Sequence, residues 1–358
     1  MTENSGIVLV TGSTGYIGQA VTKRLGQQYR VIGLNRSGPP CGEGATDCLS
    51  MDVSSDESVR KALRTLKDRY GSRVISVIHL AAYYDFSGEP SPKYEEVTVR
   101  GTERLLRELT ESFELEQFIF SSTMLVHAPC EPGERIDETS PLKPKWDYPK
   151  SKVATEQVID RLHGDASYVL LRIAGVYDEA GHLLPLAHQA QRIYEEQLTS
   201  HVFPGDLDRG QSSLHLDDLV DAIESLVQKR AEVPKKLTLL LGEPDTVSYG
   251  EIQDTLGRMI HGDDWTTLEI PKPIAKVGAW IQGEAPLIEK PFIKPWMIDM
   301  ADDHYAIDIS RARETIGWSP KHSFRQTLPV IIEALKRDPK RWYKENGLDW
   351  EQDDNSGG

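Results

Sequence analysis

Gly6-Ile-Val-Leu-Val10 runs directly into Thr11-Gly-Ser-Thr-Gly-Tyr-Ile-Gly18, and the junction between them decides the fold. A short, uniformly apolar run suits a strand buried on both faces. In the segment that follows, Gly12 permits a tight turn and Gly15 lets the backbone approach a pyrophosphate. Gly18 lets a helix pack closely on the strand. The helix expected over residues 16–27 turns free N–H groups and a partial positive charge toward those phosphates. A strand, a glycine-rich loop and a helix in that order predict a dinucleotide-binding unit.

The same rhythm continues outward. Tyr29–Leu34 reads as a strand, and Glu57–Tyr70 as a helix with Val59, Leu63 and Leu66 on one side. Arg73–Leu80 is a strand, Tyr94–Phe113 a helix, Gln117–Ser121 a strand, Ser151–Leu162 a helix and Tyr168–Ile173 a strand. Such repetition predicts an α/β fold, a Rossmann-type doubly wound parallel sheet with right-handed crossovers. After Tyr177 the pattern breaks, and Pro271, Pro273, Pro286, Pro291 and Pro295 interrupt short helices. Residues 1–176 are therefore expected to form the dinucleotide-binding domain, rejoined by about 213–242 because Lys236–Leu241 reads as a returning strand. A smaller, mixed substrate-binding domain is expected over 177–212 and 243–350, and 351–358 as a disordered tail.

Composition excludes several functions. The 358 residues carry a net charge of −15, which repels nucleic-acid phosphates and anionic lipid heads. No apolar run approaches the ~18 residues of a membrane span. The start, MTENSG, lacks a basic segment followed by an apolar stretch, so the cytoplasm is the expected location. Cys41, Cys48 and Cys130 are odd in number and lack CxxC spacing, which indicates neither a disulfide framework nor a zinc site; no metal is expected.

The end of the second strand carries Asn35 and Arg36 where NAD-binding chains place a carboxylate. Without the carboxylate a 2′-phosphate is not repelled, and a guanidinium can pair with it. NADP(H) is the preferred cofactor on this reading, and NAD(H) the alternative if Asn35 binds the ribose and Arg36 is a solvated loop residue. Asp52, in Met51-Asp52-Val53, either reads an adenine amino group or caps a helix.

Tyr148-Pro-Lys-Ser-Lys152 is a YxxxK pair whose members share a helix face. A phenol of pKa near ~10 must fall by roughly 3 units, about 4 kcal/mol, to exchange protons easily at neutral pH. One charge at ~4 Å in an effective dielectric near 20 supplies about that much. Pro149 biases Tyr148 away from helical geometry, so the helix is expected to start at the tyrosine. Upstream, the strand ending in Ser121-Ser122-Thr123 brings hydroxyls to the crevice where doubly wound sheets bind ligands.

Taken together, TGSTGYIG (11–18), Asp52, HLAA (79–82), VTVRGTERLL (97–106), FIFSST (118–123), YPKSK (148–152), LRIAGVYDEAG (171–181), HLDDLVDAI (215–223) and ISRARETIGWSP (309–320) resemble, in order, the extended short-chain dehydrogenase/reductases, the NAD-dependent epimerase/dehydratase family. The resemblance implies a Thr–Tyr–Lys set of Thr123, Tyr148 and Lys152, with Ser122 the fallback hydroxyl. Tyr148 would exchange the proton at the substrate oxygen. Lys152 would lower the phenol pKa and bind the nicotinamide ribose, and Thr123 would orient the substrate. The cofactor would lie along Gly12, Thr14, Gly15, Tyr16, Ile17, Gly18, Asn35, Arg36, Asp52, Val53, Leu80, Ala81 and Ala82, together with Tyr148 and Lys152. A homodimer through helices 94–113 and 151–162 is the assembly the family suggests.

Departures from the family pattern narrow the chemistry. Met124 and Leu125 follow Thr123 where 4,6-dehydratases carry Asp and Glu, which argues against dehydration. Gly175 replaces an Asn that contacts sugar nucleotides, and Thr98 replaces another Asn, loosening a supporting hydrogen bond. The leading expectation is an oxidoreductase for a secondary alcohol or ketone. A nucleotide-sugar epimerase holding NAD tightly is the alternative, and a non-catalytic NADP(H) sensor the third. His79 reads as a strand-end residue and His127 as a pocket residue. His182, His188 and His201 fall in the substrate region, and Tyr83, Tyr84 and Phe86 read as an apolar pocket wall or ordinary loop packing. Trp342 and Trp350 are expected to anchor a terminal helix, and KRDPKR (336–341) to be a solvated helix end.

Overall fold

A computed structural model describes residues 6–85, 89–276 and 295–350. Phe86, Pro286, Pro291 and the tail 351–358 lie outside the described residues. The central sheet contains β1 (Ile7–Thr11), β2 (Arg30–Asn35), β3 (Asp47–Ser50), β4 (Arg73–His79), β5 (Glu114–Leu115), β6 (Gln117–Thr123), β7 (Ser167–Ile173) and β11 (Lys236–Leu241). Two short parallel pairs lie outside it: β8 (Gly175–Tyr177) with β10 (Ser213–His215), and β9 (Val202–Pro204) with β12 (Leu268–Ile270). The sheet runs β11-β7-β6-β4-β1-β2-β3, with β5 beside β4, and every pairing is parallel. Strand order reverses between β1 and β4, the switch point at which such sheets open a ligand crevice.

Alternate residues of β1 build two cores. Val8 and Val10 pack with α1 (Tyr16–Leu25) and α6 (Leu216–Gln228) on one face. Ile7 and Leu9 pack with α2 (Asp56–Tyr70) and α3 (Arg100–Ser112) on the other, where Ile159 of α4 (Asp147–Leu162) joins them. A third core joins α5 (Leu184–Tyr194), α7 (Tyr249–His261) and the helices Phe324–Arg337 and Pro339–Glu345. Trp342 is buried there, and Trp350 packs edge-on against Tyr343 at 4.9 Å. Among the described residues no helix is long and apolar enough to cross a membrane.

The structure corrects several expectations. The helix expected over 94–113 opens as a π-type turn, Tyr94–Val99, before α3. The helix α4 begins at Asp147, one residue before Tyr148. Pro149 is tolerated because first-turn N–H groups have no helical partner. Cys41 and Cys48 form a disulfide, with Cα atoms 5.5 Å apart. The odd count does not prevent a local pair, since the loop between β2 and β3 folds back over only seven residues.

Candidate active site

The glycine-rich loop takes the geometry its sequence demands. Gly12 has φ +69° and donates its N–H to Leu34 O at 2.9 Å. A Cβ on Gly18 would run into the Gly12 carbonyl oxygen. Gly15 caps α1 without a side-chain cap, and no acid stands in the first turn. The first N–H groups of α1 are therefore left for an anion.

Asn35 turns into this loop. Its Oδ1 accepts from Ser13 Oγ at 3.0 Å and from the Thr14 N–H at 3.1 Å. Its Nδ2 is buried without a partner, a donor free for a ribose hydroxyl. Arg36, next along, is exposed. Asp52 instead folds onto Ser54, accepting from its N–H at 2.9 Å and its hydroxyl at 2.7 Å. Those hydrogen bonds hold its carboxyl below the usual range, assisted by the charges of Arg36 and Arg104. The cap of α2 is Ser55, not Asp52. Val53 is buried under Gly101.

A threonine latch closes the switch point. Thr11 Oγ1 accepts from the N–H groups of Leu80 (3.1 Å) and Ala81 (3.0 Å) and meets His79 Nδ1 at 2.8 Å. Thr102 Oγ1 donates to Thr98 O at 2.6 Å, so it accepts from His79 Nε2 at 2.9 Å. This places the His79 proton on Nε2 and leaves Nδ1 as the acceptor. Burial, aided by the Lys152 charge, pushes His79 down to about 3. Thr98, for its part, accepts from the Tyr83 N–H at 3.0 Å.

Tyr148 and Lys152 lie on α4, facing the end of β6. Lys152 is buried and donates to Ser121 O at 2.7 Å, with its Nζ 5.5 Å from the Tyr148 ring centroid. Burial pushes the lysine down to about 7, opposed by the Glu156 carboxylate one turn on. The Tyr148 phenol is pushed above its ordinary range by burial, while the Thr123 hydroxyl pulls the other way by hydrogen bonding. Thr123 is buried and also accepts from the Leu125 N–H at 3.3 Å. Thr123, Tyr148 and Lys152 thus share one corner of the crevice. Ser122 does not join them: its hydroxyl donates to Glu156 Oε1 at 2.5 Å.

Glu156 forms a buried ion pair with Arg172 (Oε2 to Nη2, 2.7 Å), and Arg172 Nη1 meets His127 Nε2 at 3.1 Å. His127 Nδ1 donates to Ser140 O at 3.0 Å. Both nitrogens of His127 are engaged in this network rather than free in a pocket, and burial brings the ring down to about 4.

Aromatic rings wall the corner. Tyr84 meets Tyr148 edge-on at 4.9 Å, Trp146 lies 5.4 Å from Tyr148, and Trp296 lies 5.3 Å from Trp146. Tyr83 packs edge-on against Tyr94 at 4.9 Å. Sequence reading missed Trp146, Tyr94 and Trp296. The signal for Trp146 was its place two residues before the tyrosine; Trp296 had none.

The remaining histidines separate. His182 pairs with Asp178 at 2.7 Å, which raises its pKa, and its ring packs 4.8 Å from Tyr16. His201 stacks on Trp265 at 4.2 Å. His188 lies on α5. His215, Asp217 and His322 bring ligand atoms within 4.8 Å of one another. The imidazoles of His215 and His322 stack face to face at 3.9 Å, however, and His215 Nδ1 already accepts from the Asp217 N–H. Parallel rings aim their nitrogens alongside each other rather than at one ion.

Residues 8–242 match the NAD dependent epimerase/dehydratase family. The UDP-glucose 4-epimerase of Streptomyces lividans is 26% identical over 354 residues, covering 92% of this chain and 95% of that protein. The dTDP-6-deoxy-L-talose 4-dehydrogenase (NAD(P)(+)) of Kitasatospora kifunensis is 24% identical over 338 residues, covering 93% and 96%. Among solved structures, MoeE5 in complex with UDP-glucose and NAD superimposes with a TM-score of 0.68 at 21% identity, over 93% of this chain and 100% of that one. The UDP-glucose 4-epimerase of Thermus thermophilus with NAD gives 0.67 at 21% identity, over 92% and 99%.

Proposed function

We propose, on the premise that the chain belongs to the NAD dependent epimerase/dehydratase family and is an NAD-dependent epimerase or dehydrogenase, that it transfers hydride between nicotinamide and a secondary alcohol or ketone. The observation that carries this reading is the meeting of Thr123 and Tyr148 hydroxyls beside buried Lys152. When bound, the nicotinamide ring supplies the hydride acceptor or donor. In the oxidative direction Tyr148, as the phenolate, takes the alcohol proton at its phenolic oxygen as the carbonyl forms, and in reduction the neutral phenol gives that proton to the forming alkoxide. Thr123 holds the substrate oxygen, and Lys152 binds the nicotinamide ribose and favours the phenolate when charged. Tyr84, Trp146 and Trp296 keep water from the reacting carbon.

The cofactor residues fit a dinucleotide through the open N-terminus of α1, the unpartnered Asn35 Nδ2 and the absence of a carboxylate at β2. Exposed Arg36 favours NADP(H) by pairing with its 2′-phosphate. Residues 1–176 with 213–242 hold the cofactor in this account, and 177–212 with 243–350 hold the substrate. A homodimer through α3 and α4 completes it. Epimerisation with retained NAD is the second reading, favoured by the Streptomyces lividans relative. Denaturing the purified chain and counting the nicotinamide released separates them. An empty chain that binds NADPH supports net oxidoreduction, and near-stoichiometric NAD supports epimerisation.

A further inference from the structure

The loop between β2 and β3 is held by little besides a sulfur–sulfur bond. Pro39 and Pro40 have no N–H to give, and among the described residues no backbone N–H from 39 to 44 donates to a backbone carbonyl. Glu43 meets Lys23 at 2.9 Å, but both side chains are mostly in water, and such a pair holds weakly. The tie that remains is Cys41–Cys48. Cys48 is buried in β3, while Cys41 is an exposed residue of the loop. One end of the bond is anchored in the sheet, and the other belongs to a residue that a solution thiol can reach.

This loop borders the cofactor residues. Cys48 is in register with Gly33 of β2. A Cβ on Gly33 would collide with Ser13 Oγ and come 3.1 Å from Cys48 Sγ, and Ser13 Oγ is the group that donates to Asn35. Gly42, next to Cys41, faces the glycine-rich loop, with the Ser13 carbonyl oxygen 3.5 Å from where its Cβ would stand. Arg36 stands in the turn that opens the loop. There the Gly38 N–H donates to Asn35 O at 3.2 Å, and Ser50 Oγ donates to Arg36 O at 3.1 Å. Asn35 is fixed by β2 and Ser13 whatever the loop does. The setting of Arg36 depends on the loop.

A dithiol breaks such a bond by exchange. One thiolate attacks a sulfur of the pair, giving a mixed disulfide and one protein thiolate, and the second thiol then displaces the other protein sulfur. Cys41 and Cys48 end as thiols, having gained two electrons and two protons, and the dithiol ends as its cyclic disulfide. Opening a link between residues seven apart returns conformational freedom to the loop. A loop that is free before binding must be ordered when Arg36 takes a phosphate, which lowers affinity.

We propose that Cys41 and Cys48 are a reversible thiol–disulfide site that sets cofactor choice. Oxidised, the pair holds the loop so that Arg36 meets a 2′-phosphate; reduced by a dithiol, it releases the loop and the preference for NADP(H) over NAD(H) declines. This rests on the reading of Arg36 as a 2′-phosphate ligand and names the state of the chain in which that contact forms.

The test uses the full chain, either air-oxidised or treated with dithiothreitol. Thiol labelling after denaturation should count one thiol, Cys130, in the oxidised chain and all three in the reduced chain. NADPH and NADH are then titrated into each. Reduction should lower the ratio of NADPH to NADH affinity about fivefold, and reoxidation should restore it. Cys41→Ser, at an exposed position, should show the reduced ratio and ignore dithiothreitol. Arg36→Ala should have a low ratio in both states. Three labelled thiols in the air-oxidised chain, an equal wild-type ratio in the two states, or a ratio that still responds to dithiothreitol in Cys41→Ser or Arg36→Ala overturns the proposal. A ratio in the oxidised chain that Arg36→Ala leaves unchanged overturns the 2′-phosphate reading, and the proposal with it.

Discussion

At the C-terminal edge of the sheet, His79 gives both ring nitrogens to threonines, and the Glu156–Arg172 pair is closed by Ser122 and His127. At the glycine-rich loop, by contrast, Asn35 Nδ2 is buried without a partner and the start of α1 has no side-chain cap. The first region completes its polar interactions within the chain and so holds Thr123, Tyr148 and Lys152 in place. The second leaves an interaction unmade, which is how a protein surface declares a ligand. Rigidity and recognition are divided between the two.

The comparison breaks most visibly at Tyr148. Tyr148→Phe removes the proton donor while sparing the loop, so turnover should fall about 10²–10⁴-fold with cofactor affinity unchanged by titration. Substantial remaining activity would move the chemistry elsewhere. Next, Glu156→Ala leaves Arg172 buried and unpaired, turning a satisfied region into an unsatisfied one. It should lose about 3–5 kcal/mol in denaturant unfolding, and the double variant Glu156→Gln with Arg172→Met should recover most of it. An unaltered midpoint for the single variant would show that the network does not hold the site.

Arg36→Ala sharpens the cofactor side. It should reduce the preference for NADPH over NADH by about tenfold, read as the ratio of the two dissociation constants. An unchanged ratio would return Arg36 to the solvent.

The smallest effect concerns a proton. Lys152 is held down to about 7, so near pH 8 it is mostly neutral in the cofactor-free chain. A ribose hydroxyl accepting from Nζ favours the charged form and raises its pKa, so binding takes up protons, at most about one per chain, and weakens as pH rises above about 7. Calorimetry in buffers of different ionisation enthalpy should show the uptake in wild type and none in Lys152→Met.

The legible parts of the molecule were those in which local sequence dictates geometry. The glycine spacing at 12, 15 and 18 and the uniformly apolar strands announced the sheet, and the YxxxK spacing placed Tyr148 and Lys152 on one face. The strand β3, four residues long, had too little pattern to be read. The Cys41–Cys48 pair was hidden because it depends on how a loop folds back. The resemblance ranks Thr123 ahead of Ser122, but that Ser122 is taken up by Glu156 is visible only in the fold.

The most direct test of the central claim is calorimetric titration of NADPH and NADH into cofactor-free wild-type chain and into Gly18→Val, whose side chain would collide with the Gly12 carbonyl. The account predicts one nicotinamide nucleotide per wild-type chain, NADPH the tighter, and no binding to the variant. A wild-type chain that binds neither nucleotide would contradict it.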